Sequence, residues 1–205
     1  QYFFFDQQNT HLWGNVTVAG NNATANCSYA TSTVTRVYYI TGTVSTYTSY
    51  TFSNNSALIS QCSSLTVTGI HLTGNSGFHH STLTIIQFDL NAEAGRSGVA
   101  TTQMYGIFLT ILDIYNSSVA LLGNAIRHNC IEGSTQCLIR GINMVAIGVN
   151  RSSILVQNNL VVGTSVKDAY GISFTKNEVN NSAVVYSGNV ITTTSNGGSL
   201  AYSMN

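Results

Sequence analysis

Proline is absent from the 205 residues, and charge is scarce: seven Lys and Arg balance seven Asp and Glu, 7% of the chain. An average chain carries about 5% Pro and about 25% charged residues. With no net charge, the chain lacks the extended basic field that a nucleic-acid backbone needs, so no nucleic-acid partner is expected. Long apolar runs are missing too. None approaches the roughly 18 residues of a membrane helix, and Met144–Val149 is typical of the longest. The chain begins at Gln1 without an initiator Met or signal sequence, so it reads as mature or excised. What it does not lack is core material: 43% hydrophobic residues, with eleven Tyr and eight Phe, exclude disorder. The length fits one domain over residues 1–205.

Asn, Ser and Thr take the place of proline and charge, with 22 Asn and 49 Ser plus Thr. Asn, Ser and Gly make turns, while Val, Ile, Thr, Tyr and Phe fit a pleated sheet. Proline removes a ladder donor, so its absence suits a sheet whose strands are mostly paired on both sides.

A repeat organises the second half. Gly-Ile recurs at Gly106, Gly141 and Gly171. At +3 stand Leu109, Met144 and Phe174; at +8, Ile114, Val149 and Val179; at +11, Ser117, Ser152 and Ser182. Then come Val119, Ile154 and Val184 at +13, Leu121, Val156 and Tyr186 at +15, Asn124, Asn159 and Asn189 at +18, and Ile126, Val161 and Ile191 at +20. Copies are 35 and 30 residues apart, and the variation falls in Arg127–Arg140 and Val162–Tyr170. A fixed frame with one elastic loop is what stacked coils require, because one coil cannot bury its apolar face alone. Alternation at +1/+3 and +13/+15 marks strands with one inward face.

The segments Ser152–Val161, Ser117–Ile126 and Ser182–Ile191 resemble the right-handed parallel β-helix of the pectin-lyase-like superfamily. The resemblance covers about residues 103–193. It implies a strand, a tight turn with an inward Asn, and a second strand, so that Asn124, Asn159 and Asn189 form an asparagine ladder. The expected fold is all-β, a right-handed parallel β-helix (β-solenoid) with elastic loops. In the first half, Thr31–Phe52, Ser64–Leu72 and Ser81–Phe88 read as further strands, and Asn91–Gly98 as a polar loop. Residues 1–30 read as an irregular cap or arm.

Cys130 and Cys137 bracket the longest elastic loop, a placement that suits a local disulfide and leaves Cys27 and Cys62 to pair. The sequence alone permits three connectivities, or four reduced thiols. Asn-x-Ser/Thr sequons stand at Asn15, Asn22, Asn26, Asn54, Asn116, Asn150 and Asn180. Composition alone accounts for nearly as many, but the last three share one turn of the frame. Some are expected to carry N-glycans. Disulfides with glycans would place the chain outside the cytosol, extracellular or at a cell surface.

Polysaccharide-cleaving relatives, as the resemblance implies, need clustered acids. Here Asp6, Asp89, Glu93, Asp113, Glu132, Asp168 and Glu178 are scattered, and the Asn-x-Asp, Asp-Asp and Gly-His-Gly segments of polygalacturonase-like members are absent. The weak catalytic candidates are Asp113 and Glu178, both at +7 and two coils apart, on the order of 9.6 Å, at the edge of the inverting range. His79-His80 with His71 offer metal ligands or simple loop polarity, and no site is assigned to a metal or cofactor. His128, beside the cysteine loop, is expected at the surface. The aromatic run Tyr2, Phe3, Phe4 and Phe5 could cover the first coil or reach another subunit by strand addition.

The leading functional expectation is an extracellular structural protein, self-assembling as a filament, coat or adhesin subunit. The alternative is a protein that binds or cleaves polysaccharide, with outward aromatics such as Tyr115 and Tyr170 against glycans. Ice binding through Thr-x-Thr rows is a third reading.

Overall fold

The computed structural model describes residues 5–26, 34–62, 66–94, 102–130, 137–195 and 201–204. Among these there are seventeen strands and no helix. The chain opens with β1 (Phe5–Ala19) and β2 (Asn22–Asn26), then β3 (Val34–Ser53) and β4 (Ser56–Cys62). Four coils of three separate strands follow. They are β5 (Thr66–His79), β6 (Thr82–Ile86) and β7 (Asp89–Ala94); β8 (Thr102–Tyr115), β9 (Ser118–Leu122) and β10 (Ala125–Cys130); β11 (Cys137–Asn150), β12 (Ser153–Gln157) and β13 (Leu160–Ser165); and β14 (Ala169–Asn180), β15 (Ala183–Ser187) and β16 (Val190–Ser195). β17 (Ala201–Met204) closes the series against β14.

Each strand pairs in parallel with its equivalent one coil away, which makes the molecule a parallel β-solenoid. Three faces result. β1, β3, β5, β8, β11, β14 and β17 form the first; β6, β9, β12 and β15, with the C-terminal parts of β1 and β3, form the second; β2, β4, β7, β10, β13 and β16 form the third. β3 serves two faces, pairing with β5 through Val34–Thr46 and with β6 through Ser49–Ser53. Interior strands need every N–H for a ladder on one side or the other, which is the physical reason proline has no place here.

Inward residues stack in columns along the axis. Ile70, Ile107, Ile142 and Ile172 form one, Leu83, Val119 and Ile154 another, and all are at most 2% exposed. The glycine of each Gly-Ile pair is dictated by close approach. A Cβ on Gly106 would strike the Gly141 carbonyl and the Ile126 side chain, and one on Gly141 would strike Val161. Third-face side chains thus press on the first-face backbone where only glycine fits.

Corners are single left-handed residues. The first corner uses Tyr47, His80, Asn116, Arg151 and Asn181, at φ of 47–51°. The second uses Gly20, Asn54, Gln87, Gly123, Asn158 and Gly188.

Several expectations change. Arg127–Arg140 and Val162–Tyr170 are not simply loops, since β10, β13 and the starts of β11 and β14 occupy much of them. Asn91–Ala94 continues β7, with Ala92 and Ala94 inward. His128 is buried, not exposed, at 4%. It lies in register with Ala92 and Gly163. Residues 5–26 stack as the first coil, with Phe5–Ala19 in register with Tyr38–Ser53 and Asn22–Asn26 with Ser56–Ser60. Tyr2, Phe3 and Phe4 lie outside the described residues, as does the Phe5 side chain. Cys130 and Cys137 form a disulfide with Cα atoms 6.3 Å apart. Cys27 and the Cys62 side chain lie outside the described residues.

Candidate functional site

Two polar ladders run inside the corners. At the second, Asn159 Oδ1 accepts from the Asn124 backbone N–H (3.0 Å) and from Asn124 Nδ2 (2.9 Å). Asn189 Oδ1 does the same for Asn159. Each Asn Nδ2 also donates to a backbone carbonyl one coil back: Asn124 to Ile85, Asn159 to Leu121, Asn189 to Val156. The column continues to Asn55 and Asn21, joined by the same bonds. Phe88 interrupts it, although its N–H still donates to Asn124 Oδ1. The sequence frame reached only the last three rungs.

The first corner holds a hydroxyl ladder. The N–H of Thr48, Ser81, Ser117 and Ser152 donates to the Oγ of Ser81, Ser117, Ser152 and Ser182 in turn. Each Ser Oγ donates onward to carbonyls, Ser152 for example to Asn150 (2.7 Å) and Ile114 (3.1 Å). Ser152 and Ser182 are also the hydroxyl members of the Asn150 and Asn180 sequons. Those two sequons therefore follow from a turn residue beside a structural serine. Asn15, Asn22, Asn26, Asn54, Asn116 and Asn180 are exposed, and Asn150 is half-buried.

Outside the first corner lies an open trough of about 790 Å³ lined by His80, Thr82, Asn116, Ser118, Arg151 and Ser153, with the serine ladder as its floor. Tyr47 stacks on His80 (4.9 Å, 17°). Asn116 Nδ2 lies 2.9 Å from His80 Nδ1, and Arg151 donates to the Tyr115 hydroxyl at 3.4 Å.

The acids are placed apart from this trough. Asp113 and Glu178 are each in register with Gly148, hence two coils from one another. Asp113 Oδ2 faces His79 Nε2 at 3.5 Å, and a Cβ on Gly148 would come within 2.9 Å of Asp113 Oδ1. The glycine makes room for a carboxylate that turns toward His79, while Glu178 stands exposed. Neither acid lines the trough. Asp89 pairs with Arg127 at 2.6 Å on the third face, a surface pair of little energetic weight. Among the described residues no group of three or more His, Cys, Asp or Glu gathers as metal ligands; His71 stacks with aromatic rings and His79 faces Asp113.

On the first face the outward rings stack on one another. Arg36 lies 4.5 Å over Tyr39, Tyr39 meets His71 at 5.3 Å, His71 stacks on Phe108 at 4.8 Å, and Phe108 stacks on Tyr105 at 4.6 Å. Arg140 then lies between the Tyr105 and Tyr170 rings, at 5.6 and 5.5 Å. Burial, with the Arg36 charge adding to it, lowers the His71 pKa to about 4. Burial alone lowers that of His128 to about 3. Among the described residues neither ring nitrogen of His128 has a hydrogen-bond partner.

No protein-family model, no curated protein and no solved structure matches the chain.

Proposed function

We propose that this chain is the subunit of an extracellular structural assembly, a filament, coat or adhesin. In this reading it is built on the right-handed β-helix of the pectin-lyase-like superfamily, carries N-glycans on some of its exposed sequons, and stacks end to end. The observation that carries the reading is the last coil, which among the described residues is covered only by β17 along the start of β14. Val179, Val184, Tyr186 and Ile191 are only partly buried. Their equivalents one coil back, Val149, Ile154, Val156 and Val161, are at most 1% exposed. Among the described residues β15 and β16 each pair on one side only, and so do β1 and β2 at the opposite end. Parallel edges left unpaired among the described residues suit head-to-tail stacking of copies, in which one subunit's edge continues the ladder of the next.

Two observations weigh against a carbohydrate-active reading. The first-face rings present their faces to one another rather than to a sugar, and the acids stand outside the trough. Sedimentation velocity over a concentration series tests the proposal. Growing oligomers are expected for the wild type and monomers for Val184→Lys, with the same circular dichroism. A wild type that stays monomeric at high concentration overturns it.

A further inference from the structure

We infer that the trough outside the first corner binds a tetrahedral oxyanion, a sulfate or phosphate group, through Arg151 together with His80, Ser118 and Ser153. All of these side chains line it. The first ground is the sign of the lining: one guanidinium, an imidazole, amides and hydroxyls, with no carboxylate. The acids closest along the chain, Asp113 and Glu178, are not among its lining residues, and Asp113 is turned toward His79.

The second ground is preorganisation. One Arg151 N–H reaches the Tyr115 hydroxyl in a long contact of 3.4 Å, which leaves the rest of its donor fork for a ligand. The His80 ring is clamped by Tyr47 on one face and by the Asn116 amide at Nδ1. With Nδ1 engaged by Asn116, Nε2 is the ring nitrogen left for a ligand. Left-handed backbone at His80, Asn116, Arg151 and Asn181 aligns these side chains as one rim.

The third ground is repetition. Thr82, Ser118 and Ser153 are in register, so hydroxyls recur at steps of about 4.8 Å along the axis. An extended ligand bearing an oxyanion finds its charge partner at Arg151 and hydroxyl partners on either side.

The test is titration with dextran sulfate, inorganic sulfate and uncharged dextran, followed by the backbone amide shifts of His80, Asn116 and Arg151. Dextran sulfate should move these amides, inorganic sulfate should move the same ones at higher concentration, and dextran should move none. If inorganic sulfate binds as tightly as the polymer, the free ion is the ligand and the oxyanion site stands. Arg151→Asn, which installs the residue that the neighbouring coils carry at this corner, should weaken binding about tenfold at unchanged melting temperature. His80→Asn should weaken it less. Equal binding of charged and uncharged dextran, or unaltered binding by Arg151→Asn, overturns the inference.

Discussion

A single atom, Asn159 Oδ1, receives both the backbone N–H and the side-chain amide of Asn124. The corner between the second and third faces is thus tied by side chains where the backbone ladder breaks. Asn159 is 1% exposed, so losing this acceptor strands buried donors. Asn159→Leu should cost about 3 kcal/mol in urea denaturation, whereas Asn21→Leu, at the partly exposed first rung, should cost under about 1 kcal/mol. Equal losses at the two positions would show that burial does not set the strength of the ladder.

The glycine column makes a sharper prediction. Gly141→Ala places a methyl against Val161 and the Gly171 carbonyl, and should destabilise by about 2–3 kcal/mol. At Gly163 the added Cβ meets Ile139 Cγ2 at 3.2 Å, a side chain that can yield, so Gly163→Ala should cost less than half as much. Thermal or chemical melts of the two variants decide this.

Acid should loosen the fold through its buried imidazoles. The pKa of His128 is lowered from 6.5 to about 3 and that of His71 to about 4. The unfolded chain therefore binds more protons than the folded one below about pH 6.5. Stability is complete above that pH and falls as pH drops toward 4. The outward charged groups near His128 on the third face include Arg127 on its own strand and Glu93 on β7, and burial is the only cause acting on its pKa. Its share is on the order of 2 kcal/mol at pH 5. His128→Leu should flatten the pH dependence of unfolding by that amount and leave the His71 part. A slope unchanged in His128→Leu would contradict the burial seen here.

The Cys130–Cys137 disulfide closes a short loop, with a sequence separation of seven. Loop closure of that length is worth roughly 2–3 kcal/mol. The double change Cys130→Ala, Cys137→Ala should lower the denaturation midpoint accordingly while leaving the circular dichroism of the native state unchanged. A loss of strand signal in the folded state would mean that the bridge holds the third-face strands themselves.

Much of this architecture was legible in the sequence because two faces carry large alternating apolar residues. Ile107/Leu109 and Val119/Leu121 announce strands on sight. The third face did not announce itself. Its inward positions after Ile126 and Val161 are His128 and Cys130, Gly163 and Ser165, polar or small types that carry no hydrophobic period. They read as loop although they are core. The asparagine ladder was visible at Asn124, Asn159 and Asn189, and stopped there because Phe88 fills the next rung. Stepping over that residue at the coil spacing would have reached Asn55 and Asn21. The trough could not be read at all. It depends on the left-handed corner bringing His80, Asn116 and Arg151 onto one rim, and three unlike residues share no sequence signature.

The most direct test of end-to-end assembly is electron cryomicroscopy of the purified protein at high concentration. The third face is six-stranded, so a stack continuous through that face should advance about 29 Å per subunit at about 4.8 Å per strand, with the next subunit's β1 taking the place that β17 holds against β14. Filaments with that rise, and with the β15 and β16 edges of one subunit against β1 and β2 of the next, are the predicted result. Isolated monomers, or assemblies that leave both ends uncovered, would contradict the account.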